Sequence, residues 1–565
     1  MGTTPRGGPG GRGRDDVTSA GVRRGVQGLL GAAAMIAVIT VLSRVLGLVR
    51  VLVQGYNVGA GEIANAYNSA NMLPNILFET AAGGALAGAV IPLLAAPVAA
   101  MDRERVGRIA SAALGWTLMV LLPLGLLLAA AAGPIGSFLG KGDPAVAAMA
   151  RYFVLVFSLQ VPMYGIAVLL YAVLQAHRRF FWPAFAPVLN SAVVIVAYAV
   201  YGSMAHGEAS SPAELTAGAL EVLAWGTTAG VAAMLLPVVR PVRRLGVRLR
   251  PTLHFPADSG GRFRALALAG IGSVAAQQLS AAVVLLLANE RLPGDVEGYT
   301  TYLYAQQVYL LPYAVLVVPL ATSTFPRIAT YAATADTVRL ARVSAVTTRA
   351  VLAASALGTA AVLAGGPALA RVFAWLAEKD DLGAQAAVAG GMTSTLTAMA
   401  PGVLGLAVVF HVSRTLYAVE RSRVAIAVNA VAWSAVTVAT LVAVLTVPPG
   451  AVVFARLGLG TTIGMTVGGA VALAVLARTL GTPALAGLTR TVVVVLAGAA
   501  SGALLGRLVA DGVLEVVGDD ALTAVAAAAG GAVVAAGVVA AAVALLDRST
   551  LVGVLRAESA PAAPR

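Results

Sequence analysis

Long apolar runs, each about the length needed to cross a hydrocarbon layer, follow one another from Val26 to Leu546 with only short charged segments between them. Val26–Val53 is followed by runs near 64–99, 109–133, 149–174, 183–203 and 217–238. A second series lies near 265–290, 300–326, 347–375, 390–412, 424–447 and 451–477, and a last pair near 488–510 and 521–546. About twenty apolar residues span a bilayer core as a helix, and only helices or closed barrels satisfy their backbone there. The chain is 59% hydrophobic and 11% charged, against roughly a quarter charged in soluble domains. These runs predict an all-α integral membrane protein of about fourteen transmembrane helices. Val26–Val53 is too long for the apolar part of a signal peptide and is read as a retained helix.

The loops set the orientation. Arginines recur in alternate loops: Arg23 and Arg24, Arg103 to Arg108, Arg178 and Arg179, Arg240 to Arg264, Arg339 and Arg342, Arg421 and Arg423. The intervening loops are neutral or acidic, as at Glu208/Glu214, Asp295/Glu297 and Lys379–Asp381. Under the positive-inside rule this pattern predicts a multi-pass inner-membrane protein with both termini cytoplasmic. It also accounts for the net charge of +13 without a nucleic-acid partner.

An internal repeat divides the chain. Leu73-Pro74 recurs as Leu311-Pro312, 238 residues on, and the segment beginning Leu174-Gln175-Ala176 recurs as Leu416-Tyr417-Ala418, 242 residues on. The expected layout is a disordered cytoplasmic tail (1–25), an N-lobe of six helices (26–239), a basic interlobe linker (240–264) and a C-lobe of six helices (265–480). Two further helices (481–547) and a short cytoplasmic tail (548–565) complete it.

Several chemistries drop out. There is no cysteine, and His177, His206, His254 and His411 are too scattered to ligate a metal. No Ser/His/Asp or paired-carboxylate arrangement stands out, and Gly468-Gly469 lacks the lysine of a phosphate loop. No enzyme, cofactor or metal is expected.

Charge inside a span is costly and normally faces a cavity or a partner. The first helix carries Ser43, Arg44 and Arg50; six residues apart, the two arginines point about 120° apart. Arg44, deeper in the span, is the expected functional cation, while Arg50 also suits a snorkelling position near the loop. The second span carries Asn65, Asn68, Asn71, Asn75 and Glu79 on one face, interrupted by Pro74. Interhelical bonding and ligand binding both suit such a ladder. The same two readings apply to Gln277, Gln278, Gln306 and Gln307, whereas Arg151 and Arg456 sit near span ends.

At four stretches the sequence resembles the MurJ (MviN) lipid II flippase family, in its actinobacterial form, within the multidrug/oligosaccharidyl-lipid/polysaccharide exporter superfamily. They are Ser43–Arg50 (SRVLGLVR), Ala64–Leu77 (ANAYNSANMLPNIL), Gly84–Pro92 (GALAGAVIP) and Leu174–Asn190 (LQAHRRFFWPAFAPVLN). The resemblance covers roughly residues 27–480. It implies two six-helix lobes in a V-shape around a cationic cavity, with two C-terminal helices beside a lipid-tail groove. The family's first-helix arginines fall on Arg44 and Arg50. Its second-helix arginine falls on Phe78, its eighth-helix arginine on Gln307, and its two acidic residues on Asn65 and Gly83, with Glu79 one turn before the latter. The implied substrate set is Ser43, Arg44, Arg50, Asn65, Asn68, Asn75, Glu79 and Gln307.

The resemblance thus implies a flippase carrying lipid II, or a related anionic lipid-linked precursor, from the inner to the outer leaflet, among membrane lipids and cell-wall synthesis proteins. The alternatives are an exporter of another lipid-linked oligosaccharide, a drug/cation antiporter, and a membrane scaffold that has lost transport.

Overall fold

The computed structural model describes residues 38–550 apart from 206–214, 216–217, 257–258, 293–297, 379–380 and 519, together with Met35 and Val552. The expected tail 1–25, most of the tail 548–565, and Glu208, Glu214, Asp295 and Glu297 lie outside the described residues. Every regular element among the described residues is helical.

The first lobe comprises α1 (Val38–Val58), α2 (Glu62–Phe78), α3 (Gly84–Ala99), α4 (Arg103–Ala130), α5 (Ala132–Gly140), α6 (Pro144–Ser158), α7 (Gln160–Ala176), α8 (Phe181–Met204) and α9 (Ala219–Arg243). The second comprises α10 (Gly260–Arg291), α11 (Gly298–Pro312), α12 (Val318–Ala333), α13 (Thr337–Ala377), α14 (Leu382–Met399), α15 (Gly402–Ala418), α16 (Ser422–Leu445) and α17 (Val452–Leu480). The chain ends in α18 (Leu488–Val517) and α19 (Ala521–Leu546), which pack on each other and on α13. Among the described residues twelve helices are long and apolar enough to cross a membrane, or thirteen with the pair α14 and α15, bent by 49°. The remaining expected span is Glu62–Ala99, which runs through α2, a π-helical turn and α3 without a break.

The repeat extends well beyond two sequence matches. A π-helical turn follows Pro74 at Glu79–Gly83, and another follows Pro312 at Tyr313–Val317. Proline lacks an N–H and crowds the preceding turn, so the ladder slips to the wider register beside it. The turn joining α3 to α4 places Met101 at φ 55°, and its counterpart joining α12 to α13 places Ala335 at φ 54°. In both, an aspartate then caps the next helix: Asp102 accepts from Arg105 N at 2.8 Å, and Asp336 from Arg339 N at 3.0 Å. Asp143 and Asp381, 238 residues apart, likewise cap α6 and α14.

One buried core runs through the first lobe around Tyr67, Phe153 and Phe157, and another through the second around Tyr299, Tyr304 and Phe373. The partition is not clean, because Val51 and Ala60 are buried in the second-lobe core and α10 packs along α3. Helix pairs close up through small residues. Gly460, Gly464 and Gly468 of α17 meet Thr440, Val436 and Ala432 of α16, one turn per step. Gly498, Gly502 and Gly506 of α18 meet Val539, Ala535 and Gly531 of α19 in the same way. Among lipid tails the gain comes from close backbone approach rather than from leaving water.

Candidate functional site

A cavity of about 340 Å³ lies between the lobes. First-lobe helices supply most of its wall: Arg50 and Gln54 from α1, Tyr67, Asn68, Asn71 and Asn75 from α2, Tyr164 from α7, Asn190 and Tyr198 from α8, and Thr227 from α9. From the second lobe, α11 contributes Leu303, Tyr304 and Gln307. The asparagine ladder reaches the cavity because Asn68, Asn71 and Asn75 repeat at helical spacing, and α2 runs along the lobe boundary.

Arg50 is the one charged residue among those lining the cavity. Its guanidinium is close enough to the hydroxyls of Tyr67, Tyr164 and Tyr198 to act on all three electrostatically. Those hydroxyls are partly fixed, since Tyr67 is bonded to Tyr198 at 2.9 Å and to Thr227 at 2.8 Å. Asn71 presents a buried carbonyl oxygen with no hydrogen-bond partner. An unmet buried acceptor costs about 1–3 kcal/mol, so a donor entering the cavity would gain by meeting it. The result is a half-buried cation surrounded by amides and phenols. It suits an anionic group carrying further donors and acceptors, such as a phosphorylated sugar.

Arg44 is exposed on α1 and is not among the residues lining this cavity. Its charge instead acts on the Tyr313 hydroxyl, as does that of Arg414. Arg414 stacks 4.6 Å above the Phe410 ring, and Phe410 packs edge-on against Tyr313. Tyr313, in the second π turn, thus feels a cation from each lobe. The sequence reading had not singled out Arg414.

Asn65 faces the other lobe rather than the cavity. It donates to Asn289 Oδ1 at 2.9 Å and accepts from Tyr299 N at 3.1 Å. Asn68 lines the cavity while bonded to Gln54 and Thr300. Ser69 pairs with Asn289, Tyr304 donates to Gly59 O at 2.9 Å, and Glu378 accepts from Ala60 N at 3.3 Å. These bonds join the lobes at the arginine-poor end of the bundle. Ser43 and Glu79 are half-buried and outside the lining set, and Glu79 acts electrostatically on Tyr164. Gln307 projects into the cavity, where it is exposed. The tyrosines were missed because a tyrosine in an apolar run reads as core.

Residues 55–513 match the family model described as Lipid II flippase MurJ, a range that begins just after Arg44 and Arg50. The probable lipid II flippase MurJ of Rhizobium meliloti (strain 1021) is 27% identical over 303 residues, which are 51% of this chain and 53% of that protein. Its counterpart in Synechocystis sp. is 26% identical over 229 residues, 40% of this chain and 42% of that protein. The chain thus spans about half the length of the curated relatives it matches. Among solved structures, "Lipid II flippase MurJ, inward closed conformation" superposes with a TM-score of 0.67 at 16% identity, covering 92% of this chain and 100% of that one. An inward-facing MATE transporter of the MOP superfamily superposes at 0.63 and 12% identity, covering 79% and 98%. Its many apolar helices and this match make the protein a multi-pass inner-membrane protein, and the chain belongs to the lipid II flippase MurJ family.

Proposed function

We propose that this member of the family carries lipid II, an anionic polyprenyl-diphosphate-linked cell-wall precursor, from the inner to the outer leaflet by alternating access of the interlobe cavity. The observation that carries the reading is Arg50, a lone cation facing a cavity otherwise lined by amides, phenols and apolar side chains. A guanidinium binds phosphate oxygens through paired N–H groups, while Asn68, Asn71, Asn75 and Gln307 suit the sugar and peptide portions.

The arginine-rich end is assigned to the cytoplasm by the positive-inside rule, which places both termini there. The interlobe bonds of Asn65, Asn68, Ser69 and Tyr304 then lie toward the outer face, so the described state is the one closed to the outside. Arg44 and Arg414, nearer the cytoplasmic end, form a first station for the anion, and Arg50 a second. This pair of stations stands in for the cations that the family's pattern places where this chain has Phe78 and Gln307. Membrane potential, negative inside, assists outward movement by about 2.3 kcal/mol per charge per 100 mV.

The test is depletion of the protein in its own host while measuring how much lipid II is accessible at the outer surface. Accessibility is expected to fall as the protein is lost. Unchanged accessibility would overturn the reading.

A further inference from the structure

A second cavity of about 340 Å³ lies at the arginine-rich ends of α7, α8 and α9, lined by Arg178, Arg179, Phe180, Phe181, Trp182 and Arg244 among others. No carboxylate lines it, and none of its arginines forms an ion pair among the described residues. Three like charges around one hollow repel, and an anion placed among them removes that cost.

The turn that builds the pocket is a helix stop closed by Arg179 N donating to Leu174 O at 2.9 Å, with Arg178 at φ 58°. The second lobe contains the same turn. There Arg421 N donates to Leu416 O at 2.9 Å, and Glu420 sits at φ 59°. At the positions of Arg178, Phe180, Phe181 and Trp182, that copy has Glu420, Ser422, Arg423 and Val424. Identical backbone geometry therefore needs neither the arginine pair nor the aromatic run. Arg179 is retained there as Arg421, whereas Arg178 and the aromatic run occur in one copy only, which is explained by something they bind.

The location identifies the class of ligand. Phe181 begins α8 and Arg244 caps α9, so the pocket lies where the spans leave the apolar layer, the depth aromatic residues favour. Phe180 and Phe181 are 38% and 40% exposed, and Phe181 stacks on Phe185 at 5.3 Å. A soluble phosphate would use the guanidinium groups alone. A lipid headgroup uses them and lays its glycerol and upper acyl chain on the rings.

We infer that this pocket binds the phosphate headgroup of an acidic phospholipid through Arg178, Arg179 and Arg244, with its apolar part against Phe181 and Trp182. The inference stands apart from the transport reading. It does, however, put a lipid at the first turn of α8, about 12 Å along the helix axis from Asn190 in the central cavity. A bound lipid would tie the α7–α8 turn to the end of α9 and hold that wall of the first lobe to the leaflet.

The test is thermal unfolding of the full chain in detergent, titrated separately with dioleoylphosphatidylglycerol, dioleoylphosphatidylcholine and inorganic phosphate. Saturable stabilisation by phosphatidylglycerol is expected, with none from phosphatidylcholine. Arg178→Gln/Arg179→Gln/Arg244→Gln should weaken the apparent affinity about tenfold or more. Arg421→Gln/Arg423→Gln in the matching turn should leave it unchanged. An undiminished response in the triple variant overturns the inference, and so does inorganic phosphate reproducing and displacing the lipid's effect. A second measurement leaves the arginines intact and is made on a chain retaining Trp182 as its single tryptophan. Bromine-labelled phosphatidylglycerol should quench Trp182 more strongly than bromine-labelled phosphatidylcholine; equal quenching overturns the proposal.

Discussion

Asn68 donates from Nδ2 to Thr300 Oγ1 at 3.0 Å across the lobe boundary, while its Oδ1 accepts from Gln54 Nε2 at 2.8 Å. Thr300 is fully buried, so solvent cannot replace the bond while the lobes stay together. Thr300→Val keeps the shape and removes the acceptor. A net hydrogen bond contributes about 0.5–1.5 kcal/mol, so the state open at this end should gain population about two- to tenfold. Because the chain has no cysteine, a single Gln307→Cys in the cavity reports that opening cleanly. Its labelling by a membrane-impermeant thiol reagent from the arginine-poor side should accelerate in Thr300→Val. An unchanged rate would mean that this contact does not hold the lobes closed.

Arg50 and Arg44 should differ in effect. Arg50→Ala removes the one charge lining the cavity among the described residues, and hydrogen bonds to charged groups are worth about 1.5–3 kcal/mol, so lipid II affinity should fall roughly ten- to a hundredfold. Arg50→Lys should retain part of it, because an ammonium keeps the charge but loses the paired N–H geometry. Arg44→Ala, from an exposed position, should cost less. Binding of purified lipid II to each variant, with Tm monitored to confirm folding, provides the measurement. Equal losses at both positions would contradict the two-station picture.

How much of this was legible in the sequence depends on the range of the interaction. Helix boundaries are local: the run 521–546 and the helix Ala521–Leu546 coincide, since Asp520 caps one end and apolar composition carries the rest. The asparagine ladder was legible because helical periodicity alone puts those side chains on one face. Which first-helix arginine enters the cavity was not. A spacing of six residues fixes the angle between two side chains but not the direction of either. That direction is set by Val51, whose burial in the second-lobe core turns α1 so that neighbouring Arg50 meets the cavity. Asn65 meets Asn289 across 224 residues of chain, and Arg414 acts on Tyr313 from about a hundred residues further along. No local pattern encodes either partner.

Asp547 predicts an acid-sensitive attachment of the last helix. It lies just beyond α19, fully buried, and accepts from Thr491 at 2.5 Å, Thr550 at 2.6 Å and Ser549 at 2.7 Å. Burial alone would push its carboxyl up. The three hydroxyl donors and nearby Arg349 outweigh that and hold it below its ordinary value of 3.8. A folded-state value below the unfolded one means the stabilisation is fully present above about pH 4 and is lost as pH falls through the lower, folded value. Thr491→Val should cost about 1–3 kcal/mol and flatten this acid limb. Tm followed from pH 6 to pH 3 in both proteins checks it, and parallel curves would show that Asp547 does not set the limb.

The glycine zipper between α16 and α17 makes the sharpest packing prediction. A methyl group placed on Gly464 would overlap the backbone of Val436, and backbone cannot rotate aside as a flexible side chain can. The two helices would have to separate along the whole Gly460–Gly464–Gly468 line, losing close contacts on both sides of the substitution. Gly464→Ala should therefore destabilise by about 1–3 kcal/mol, the usual cost of overpacking. Gly537 provides the control, because a methyl group there would have nothing within 4 Å. Helix propensity favours alanine over glycine by about 1 kcal/mol, so Gly537→Ala should be neutral or stabilising. The two variants are chemically the same and differ only in what lies opposite. Opposite signs of the change in Tm would attribute the effect to helix approach, whereas a shared sign would attribute it to backbone propensity and remove the zipper as a source of stability.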